Sequence, residues 1–324
     1  MVSKSVLVTG GAGFIGSHVA DAYQRAGAHV VVLDSLVHGR RENVPEGCEF
    51  FELDIRDAAA ADLIRDRRFD VVNHHAAQMD VRVSVSDPRF DAGVNVDGLL
   101  NLLEASRQAG VGRFVYVSSG GVVYGEPEQR PTPESAPKLP LNPYGVTKLA
   151  GEQYLYYYHR IHGLEYVALR YSNVYGPRQD PHGEAGVVAI FSTRLLGEQP
   201  LTVFGDGQQT RDYVYVGDVV AANMLLSGIE LPGAQHLDSR GFNVGTGVET
   251  SVIGLAQTLM RASGRDVPIQ HEEARAGELR HSSLDATRLR ELGWHPGTSL
   301  LDGLGATYEW IAEQQLARMP ETSR

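Results

Sequence analysis

Cysteine is nearly absent from this sequence, since the 324 residues contain only Cys48. A single cysteine excludes an internal disulfide framework, a thiolate metal cage and a Cys-x-x-Cys redox motif, and it is typical of a reducing compartment. Long apolar runs are also missing, because no stretch approaches the roughly 18 residues of a membrane span. We therefore expect a soluble, cytoplasmic protein with no leader segment and no membrane partner.

Basic residues are fewer than acidic residues in this sequence. The chain has 29 Lys and Arg against 40 Asp and Glu, which gives a formal charge of −11 at pH 7, and this balance argues against a nucleic-acid partner. The histidines at 74, 75, 159 and 162 lack the acidic companions of a metal site, so no metal is predicted. The apolar share of 42% is that of an ordinary globular protein, and the length indicates roughly two domains.

Short β-branched runs alternate with helical patterns through the first half of the chain. This alternation predicts an α/β protein with a doubly wound parallel sheet of the Rossmann type, whose ligand crevice lies at the carboxyl ends of the strands. The predicted strands are 5–9, 29–34, 49–53, 70–75, 113–118 and 165–170, and the predicted helices are 14–26, 57–65, 90–109 and 143–162.

The alternation breaks down after residue 176 and returns briefly at 214–227, which again has the pattern of a strand followed by a helix. We therefore predict a nucleotide-binding domain from residues 1–176 and about 214–245. A smaller, discontinuous substrate lobe is predicted from about 177–213 and 246–324. The proline-rich segment 127–143 is too polar for a sheet strand, and its length predicts an ordered loop over the crevice.

A glycine-rich turn follows the first predicted strand. Gly10, Gly13 and Gly16 lie where the strand ends and the helix begins, which allows a tight turn, close approach of a pyrophosphate, and helix amides directed at that anion. Asp34 ends the next strand, where a carboxylate accepts hydrogen bonds from ribose hydroxyls and repels a 2′-phosphate. The pattern favours NAD, while the arginines at 40 and 41 keep NADP open.

Tyr144 and Lys148 are four residues apart, just after Asn142 and Pro143. Asn142 suits an N-cap and Pro143 the first helical position, so both side chains should lie on one face of the first helical turns. A free tyrosine has a pKa near 10, and a neighbouring ammonium lowers it by stabilising the tyrosinate. The pair is therefore predicted to be a general base and its activator, removing a proton from a hydroxyl whose carbon gives up hydride.

Further motifs occur in a fixed order along the chain, and with them the sequence resembles the extended short-chain dehydrogenase/reductases of the NAD-dependent epimerase/dehydratase family. Within that family it is most similar to the UDP-glucose 4-epimerases. The resemblance extends from about residue 6 to 310. It rests on the glycines of residues 10–16, Asp34, Asp54-Ile55, Ala76-Ala77, Val123-Tyr124-Gly125, Pro143-Tyr144 with Lys148, the run Leu169-Arg170-Tyr171-Ser172-Asn173, and Arg211-Asp212-Tyr213-Val214.

The resemblance implies a role for each matching position. The catalytic residues it implies are Tyr144, Lys148 and Ser119. Residues implied to bind NAD are Gly10, Gly13, Phe14, Ile15, Gly16, Asp34, Asp54, Ile55, Ala76, Ala77, Gln78, Asn95, Ser118, Tyr144, Lys148 and Tyr171. Residues implied to hold the UDP-sugar are Asn173, Val187, Phe204, Arg211, Arg275 and Ser282, and an arginine fork suits a diphosphate.

One position departs from the family pattern. Gly120 stands where the family usually has a Ser or Thr that bonds the reacting sugar oxygen, so Ser119 or a water is expected to replace that hydroxyl. Related dehydratases and decarboxylases carry extra acidic residues where this chain has Gly121 and Val122. The absence of a second acid predicts redox-neutral epimerisation at C4, in which NAD is a bound prosthetic group.

The resemblance therefore implies an isomerase that interconverts UDP-glucose and UDP-galactose. The small Ser282 leaves UDP-N-acetylhexosamines open as substrates, and Arg280 with His281 leaves a uronic sugar open. The alternatives are a UDP-glucuronate or UDP-pentose 4-epimerase, a net dehydrogenase, and a non-catalytic NAD-sensing regulator. In this family two long helices pair with their symmetry mates, so a homodimer through helices near 90–109 and 143–162 is expected.

Overall fold

The computed structural model describes residues 4–180, 186–274 and 279–318. Its strands are β1 (Ser5–Thr9), β2 (His29–Asp34), β3 (Glu49–Glu52), β4 (Val71–His74), β5 (Arg113–Ser119), β6 (Tyr166–Tyr171), β7 (Asn173–Tyr175), β8 (Leu201–Phe204), β9 (Thr210–Arg211), β10 (Tyr213–Tyr215), β11 (Gly241–Val244), β12 (Thr250–Ser251) and β13 (Ile269–Glu272). Seven of them form a sheet in the order β3-β2-β1-β4-β5-β6-β11. Every pairing in this sheet is parallel, which confirms the predicted fold class.

Helices cover both faces of this sheet. They are α1 (Phe14–Arg25), α2 (Ala58–Arg67), α3 (Val81–Ser86), α4 (Pro88–Ala92), α5 (Leu99–Ala109), α6 (Gly120–Val123), α7 (Pro143–His162), α8 (Val187–Leu196), α9 (Val216–Gly228), α10 (Val252–Ser263), α11 (Thr287–Glu291) and α12 (Leu300–Arg318), with 3₁₀ turns at Arg41–Asn43 and Leu237–Arg240. The strands and helices predicted in the first half end within two residues of these bounds. The predicted helix 90–109 is α4 and α5 joined by a π-helical segment, Gly93–Gly98.

The core lies in two layers, one on each side of the sheet. Val6 and Val8 of β1 pack towards α1 and α9, while Leu7 packs towards α2, α5 and α7. Because a parallel sheet is covered on both faces, its strands are nearly continuous runs of apolar residues. The carboxyl ends of the strands are left as the edge where polar side chains can meet.

The remaining elements build a second core beyond this edge. Strands β7 and β10, β8 and β13, and β9 and β12 pair in three small sheets, and α8, α10 and α12 enclose apolar side chains between them. Between these pieces the chain runs back through α9, which packs on α1, and through β11 beside β6. Among the described helices none is long and apolar enough to cross a membrane.

Candidate active site

The glycine-rich turn joins β1 to α1 at the carboxyl edge of the sheet. Gly13 is the N-cap of α1, and Phe14 and Ile15 form its first turn. Gly10 has a φ of +67°, which glycine adopts without strain. A Cβ atom on Gly16 would lie 2.2 Å from the carbonyl oxygen of Gly10, so the helix packs directly on the turn. The bare backbone and helix amides at this edge fit a pyrophosphate.

Asp34 ends β2 beside this turn, with its side chain largely buried. Its Oδ2 atom accepts a hydrogen bond from the Ala12 N–H at 2.9 Å, and its Oδ1 atom accepts one from the Leu36 N–H at 2.9 Å. These bonds fix the carboxylate next to the turn. Its unused lone pairs can accept ribose hydroxyls.

The two arginines that keep NADP open have other partners. Arg40 forms ion pairs with Asp180 at 3.5 Å and with Glu42 at 3.9 Å. The Arg41 guanidinium lies 4.4 Å from the centroid of the Phe50 ring. With both cations held in these contacts, the carboxylate of residue 34 dominates the charge beside the turn, and this arrangement favours NAD.

Asp34→Asn tests this preference because it keeps the size of the side chain and removes its charge. We expect the ratio of NAD to NADP affinity to fall about tenfold, which is 1.4 kcal/mol of lost discrimination. Calorimetric titration of nucleotide-free protein with each cofactor measures it. Glu46→Gln, which removes an exposed carboxylate from the loop between β2 and β3, is the matched control. An unchanged ratio in Asp34→Asn would contradict the prediction.

The residues after β4 form one wall of the crevice. The Ala76 N–H donates to Thr9 Oγ1 at 3.4 Å, and Ala77 follows, half-buried. The Gln78 N–H donates to Asn95 Oδ1 at 2.9 Å, and Asn95 Nδ2 donates back to the Gln78 carbonyl at 2.9 Å. This reciprocal pair ties the wall to the π-helical segment.

Asp54 and Ile55 follow β3, and Asp54 is half-buried whereas Ile55 is buried. The Asp54 carboxylate forms an ion pair with Arg56 at 2.7 Å, and hydrogen bonds from Arg56 lower the pKa of that carboxyl group. Ile55 is buried, and a Cβ atom on Gly98 would lie 2.7 Å from its Cδ1 atom. Gly98 therefore lets the π-helical segment approach this wall of the crevice.

Helix α7 carries Tyr144 and Lys148 in its first turns. Its N-cap is Asn142, whose Oδ1 atom accepts a hydrogen bond from the Gly145 N–H at 2.8 Å, and Pro143 is the first helical residue. Lys148 is buried, and its Nζ atom donates to the carbonyl oxygen of Val117 at 3.0 Å. The same atom lies 5.8 Å from the centroid of the Tyr144 ring.

Burial controls the charge of Lys148. Loss of solvent lowers the pKa of its ammonium to about 8, while the negative charge of Asp91 opposes that fall. His74 and His75 lie nearby, and burial lowers their pKa values, that of His75 to about 3, so both rings are neutral at pH 7. Lys148 is therefore the cation closest to Tyr144 in this group, and it stays protonated at neutral pH.

A buried ion pair lies one turn further along α7. Glu152 Oε2 accepts a hydrogen bond from Arg170 Nη2 at 2.5 Å, and both side chains are 1% exposed or less. Ser118 Oγ donates to Glu152 Oε1 at 2.6 Å, and Arg170 Nη1 donates to the Tyr124 hydroxyl at 3.0 Å. The Ser118 hydroxyl is thus used within this network. A contact between Ser118 and a cofactor would therefore have to come from its main chain.

The Tyr171 side chain lies in the core instead of the crevice. It packs among the apolar residues between the sheet and α9, and its hydroxyl accepts a hydrogen bond from Asn223 Nδ2 at 2.6 Å. Burial raises the pKa of the Tyr171 hydroxyl. A contact with the cofactor would therefore have to come from the main chain at the end of β6.

The departure at Gly120 has a steric cause. A Cβ atom on Gly120 would lie 2.4 Å from Cδ1 and 2.8 Å from Cδ2 of Leu284, which is buried. The leucine therefore occupies the space of the usual Ser or Thr side chain. Ser119 is half-buried at the end of β5, and its side chain does not cap the following helix α6.

Gly120→Ser should destabilise the protein by about 1–3 kcal/mol, because the added atoms overpack the site. Leu284→Ala should cost about 2–5 kcal/mol as a cavity, and the double variant should cost less than the two together. Urea denaturation of all four proteins in a double-mutant cycle measures this coupling. Gly121→Ser is the control, since its Cβ would meet only Ser119 Oγ, at 3.8 Å; strict additivity would refute the steric cause.

The three small sheets and α8 carry several of the predicted substrate residues. Arg211 lies in β9, and its Nη1 atom donates to the Thr210 carbonyl at 2.8 Å. The Ser282 N–H donates to the same carbonyl at 3.2 Å, so Ser282 and Arg211 are neighbours. Asn173 begins β7, Val187 begins α8 and Phe204 ends β8. The predicted residue Arg275 lies outside the described residues.

Three comparisons with known proteins place this architecture. A model of the NAD dependent epimerase/dehydratase family matches residues 6–234. The chain belongs to this family. It is 47% identical over 311 residues to a UDP-glucose 4-epimerase of Mycolicibacterium smegmatis, with 94% of this chain and 97% of the relative covered. Family membership confirms the predicted resemblance and NAD as the cofactor.

Solved structures of epimerases superpose closely on this family member. A UDP-glucose 4-epimerase of Thermotoga maritima with UDP-glucose is 44% identical, with a TM-score of 0.91 and coverage of 96% of this chain and 99% of that one. A UDP-glucose 4-epimerase of Thermus thermophilus in complex with NAD is also 44% identical, with a TM-score of 0.88 and coverage of 95% and 99%.

Sequence reasoning missed three polar residues of the site in this epimerase-family chain. The Thr147 hydroxyl on α7 donates to the Asp91 carboxylate on α4 at 2.8 Å, and Glu152 binds Ser118 and Arg170. A local signal was available for Thr147, which directly precedes Lys148, and for Glu152, which lies one helical turn after it. Asp91 carries little local signal, because Asn95 is four residues away but Gln78 and Thr147 are 13 and 56 residues away.

Proposed function

We propose that this protein is an NAD-dependent UDP-hexose 4-epimerase that interconverts UDP-glucose and UDP-galactose. The observation that carries the proposal is the position of Tyr144 and the buried Lys148 on the first turns of α7, with Lys148 Nζ bound to the Val117 carbonyl near the end of β5. The named relatives support the same reaction, since the two solved structures are UDP-glucose 4-epimerases with UDP-glucose and with NAD. In this reaction bound NAD supplies the acceptor for the C4 hydride and returns it.

Tyr144 is the general base in this proposal. Its hydroxyl removes the proton of the sugar C4 hydroxyl and gives it back when the sugar is reduced again. The ammonium of Lys148 stabilises the tyrosinate, since its Nζ atom lies 5.8 Å from the ring centroid and remains protonated at neutral pH. The cofactor would be held at the carboxyl edge of the sheet by the glycine turn, Asp34 and the residues after β4.

The segment after β5 favours epimerisation over elimination or decarboxylation. Residues Gly120, Gly121 and Val122 form most of α6 and offer no acid or base. With one base and no second acid, such a site oxidises C4, lets the 4-keto sugar rotate and returns the hydride to the opposite face of C4, which inverts the configuration. We propose Ser119 as the hydroxyl that binds the reacting oxygen, because it ends β5 directly before Gly120.

The substrate is proposed to lie between the two sets of elements. We assign residues 1–176 and about 214–245 to NAD, and about 177–213 and 246–324 to the UDP-sugar. Arg211 and Arg275 would bind the diphosphate, with Asn173, Val187 and Phe204 along the nucleotide. The small Ser282, which neighbours Arg211, leaves space for a C2 substituent, so N-acetylated sugars are proposed as further substrates.

A homodimer is proposed through α4, α5 and α7. Apolar side chains on α4 and α7 remain exposed, with Phe90 at 42%, Val146 at 52%, Tyr157 at 47% and Ile161 at 65%. A patch of this kind on paired helices is typical of an interface between copies. Sedimentation velocity should show a dimer, and a monomer at micromolar concentration would contradict it.

A cytoplasmic location is proposed from the single cysteine.

Proton NMR of the purified protein with UDP-sugars and no added NAD tests the function. The panel contains UDP-glucose, UDP-N-acetylglucosamine, UDP-glucuronate and UDP-xylose. We expect the C4 epimer of glucose to form fastest and the N-acetylated sugar to react more slowly. Fastest conversion of the glucuronate or the xylose form would replace the proposed substrate. No turnover with any sugar, before or after NAD is supplied, would favour the non-catalytic NAD-sensing regulator.

A further inference from the structure

A buried carboxylate lies under the catalytic helix, on α4. Asp91 is 0% exposed. Its Oδ1 atom accepts hydrogen bonds from Gln78 Nε2 at 2.8 Å and Asn95 Nδ2 at 3.1 Å, and its Oδ2 atom accepts one from Thr147 Oγ1 at 2.8 Å. These donors are all neutral. Burying a carboxylate that receives hydrogen bonds only from neutral groups costs folding free energy. A functional role would explain why Asp91 occupies this position.

The partners of Asp91 belong to the site itself. Thr147 directly precedes Lys148, and its Oγ1 atom also lies 3.0 Å from the Tyr144 carbonyl oxygen. Asn95 and Gln78 are residues of the proposed NAD wall. The π-helical segment that follows α4 places Asn95 beside Asp91 on the side of α7, and such segments often mark functional sites. The carboxylate therefore joins the catalytic helix to the cofactor wall.

The charge of Asp91 also acts on Lys148. The charged and titratable groups around that lysine are Tyr144 on its own helix, Tyr116 on β5, His74 at the end of β4 with His75 after it, and Asp91 on α4. Burial raises the pKa of Tyr116 and lowers those of both histidines, so these neighbours are neutral. Asp91 supplies the negative charge that counteracts the desolvation of the ammonium.

We propose that Asp91 is a positioning residue, whose carboxylate holds the Thr147 hydroxyl at 2.8 Å and thereby fixes the start of α7, with Lys148 as the next residue, beside Tyr144. The proposal rests on the proposed function only for its kinetic consequence. The charge of Asp91 gives a second readout in the protein itself, which can be measured without any turnover.

The chain has only three lysines, Lys4, Lys138 and Lys148, so protein carrying ¹³C-labelled lysine gives three Cε signals. Lys148 is assigned as the signal that remains when the other two are replaced by arginine. We expect the Lys148 titration in Asp91→Asn to move about one pH unit lower, because an opposite charge has been removed. Asp97→Asn is the matched control, since the Asp97 carboxylate lies in the adjoining π-helical segment and is exposed.

Two further variants separate charge from attachment. Thr147→Val removes the hydroxyl and keeps the carboxylate, so it should lower kcat about tenfold while leaving the Lys148 titration in place. Asp91→Glu keeps the charge, so its Lys148 titration should remain near that of the wild type. If Asp91→Asn does not fold, the kcat of Thr147→Val carries the test.

Wild-type kcat in Thr147→Val would overturn the proposal. An unchanged Lys148 titration in Asp91→Asn would also overturn it, even if that variant were less stable or less active. Failure of the proposed function has a different signature. In that case the wild-type protein converts no UDP-sugar, whatever the lysine titration shows.

Discussion

Tyr144→Phe should lower kcat for UDP-glucose epimerisation by about 10²–10⁴-fold, the usual contribution of a general acid or base. The phenyl ring fills the same space and only the hydroxyl is lost, so folding and NAD binding should remain. KM should change little, since the loss falls on the proton transfer at C4. Proton NMR of product formation measures kcat, and calorimetry with NAD verifies that the cofactor site is intact.

Tyr156→Phe is the matched control for this variant. Tyr156 lies on the same helix, and its hydroxyl makes one exposed hydrogen bond, to the Gln235 carbonyl at 3.1 Å. Loss of that bond should leave kcat within a factor of about two, because an exposed hydrogen bond is worth little. Near wild-type turnover by Tyr144→Phe would remove Tyr144 from the proposed mechanism.

Glu152→Ala should lower the free energy of unfolding by about 3–5 kcal/mol, the cost of leaving a buried charge without its partner. Arg170 is 0% exposed and would keep only Asp238, at 2.8 Å, as an acidic partner in the described residues. The Ser118 hydroxyl would lose its acceptor as well. Urea denaturation followed by fluorescence measures the change.

The control for Glu152→Ala is a pair at the surface. Glu49 and Arg67 meet at 2.7 Å with side chains 37% and 44% exposed, and exposed pairs contribute about 0–1 kcal/mol. Glu49→Ala should therefore leave stability nearly unchanged. Replacing both buried partners, as in Glu152→Leu with Arg170→Met, should recover part of the loss, because no buried charge then remains. An equal effect of Glu49→Ala and Glu152→Ala would contradict the importance of burial.

Local signals explain what could be predicted from the sequence. Helix α7 was predicted with its observed bounds, and Asn142 and Pro143 mark its start in the sequence. In the structure the helix ends at Gly163, which has a φ of +73°. The glycine turn and Asp34 are equally local, since a strand, a turn and a helix follow one another directly. These features place the cofactor edge without any knowledge of distant contacts.

Features that depend on distant partners could not be predicted. The π-helical segment at Gly93–Gly98 lies between two helical patterns, so a single continuous helix was predicted across it. The reason for Gly120 lies in Leu284, 164 residues later, and only the packed structure shows that a side chain would collide. The commitment of Ser118 and Tyr171 to internal hydrogen bonds likewise follows from residues on other elements.

The route of the chain through β11 has a practical consequence for recombining this protein with its relatives. Because α9 and β11 complete the sheet after the first part of the other core has been built, no single cut separates the two bodies. A chimaera that exchanges the proposed sugar-binding lobe would join two separate segments, with crossovers on both sides of about residues 214–245. A fragment ending near residue 176 would leave β6 as a bare sheet edge with an unpaired row of amides, and such an edge promotes aggregation.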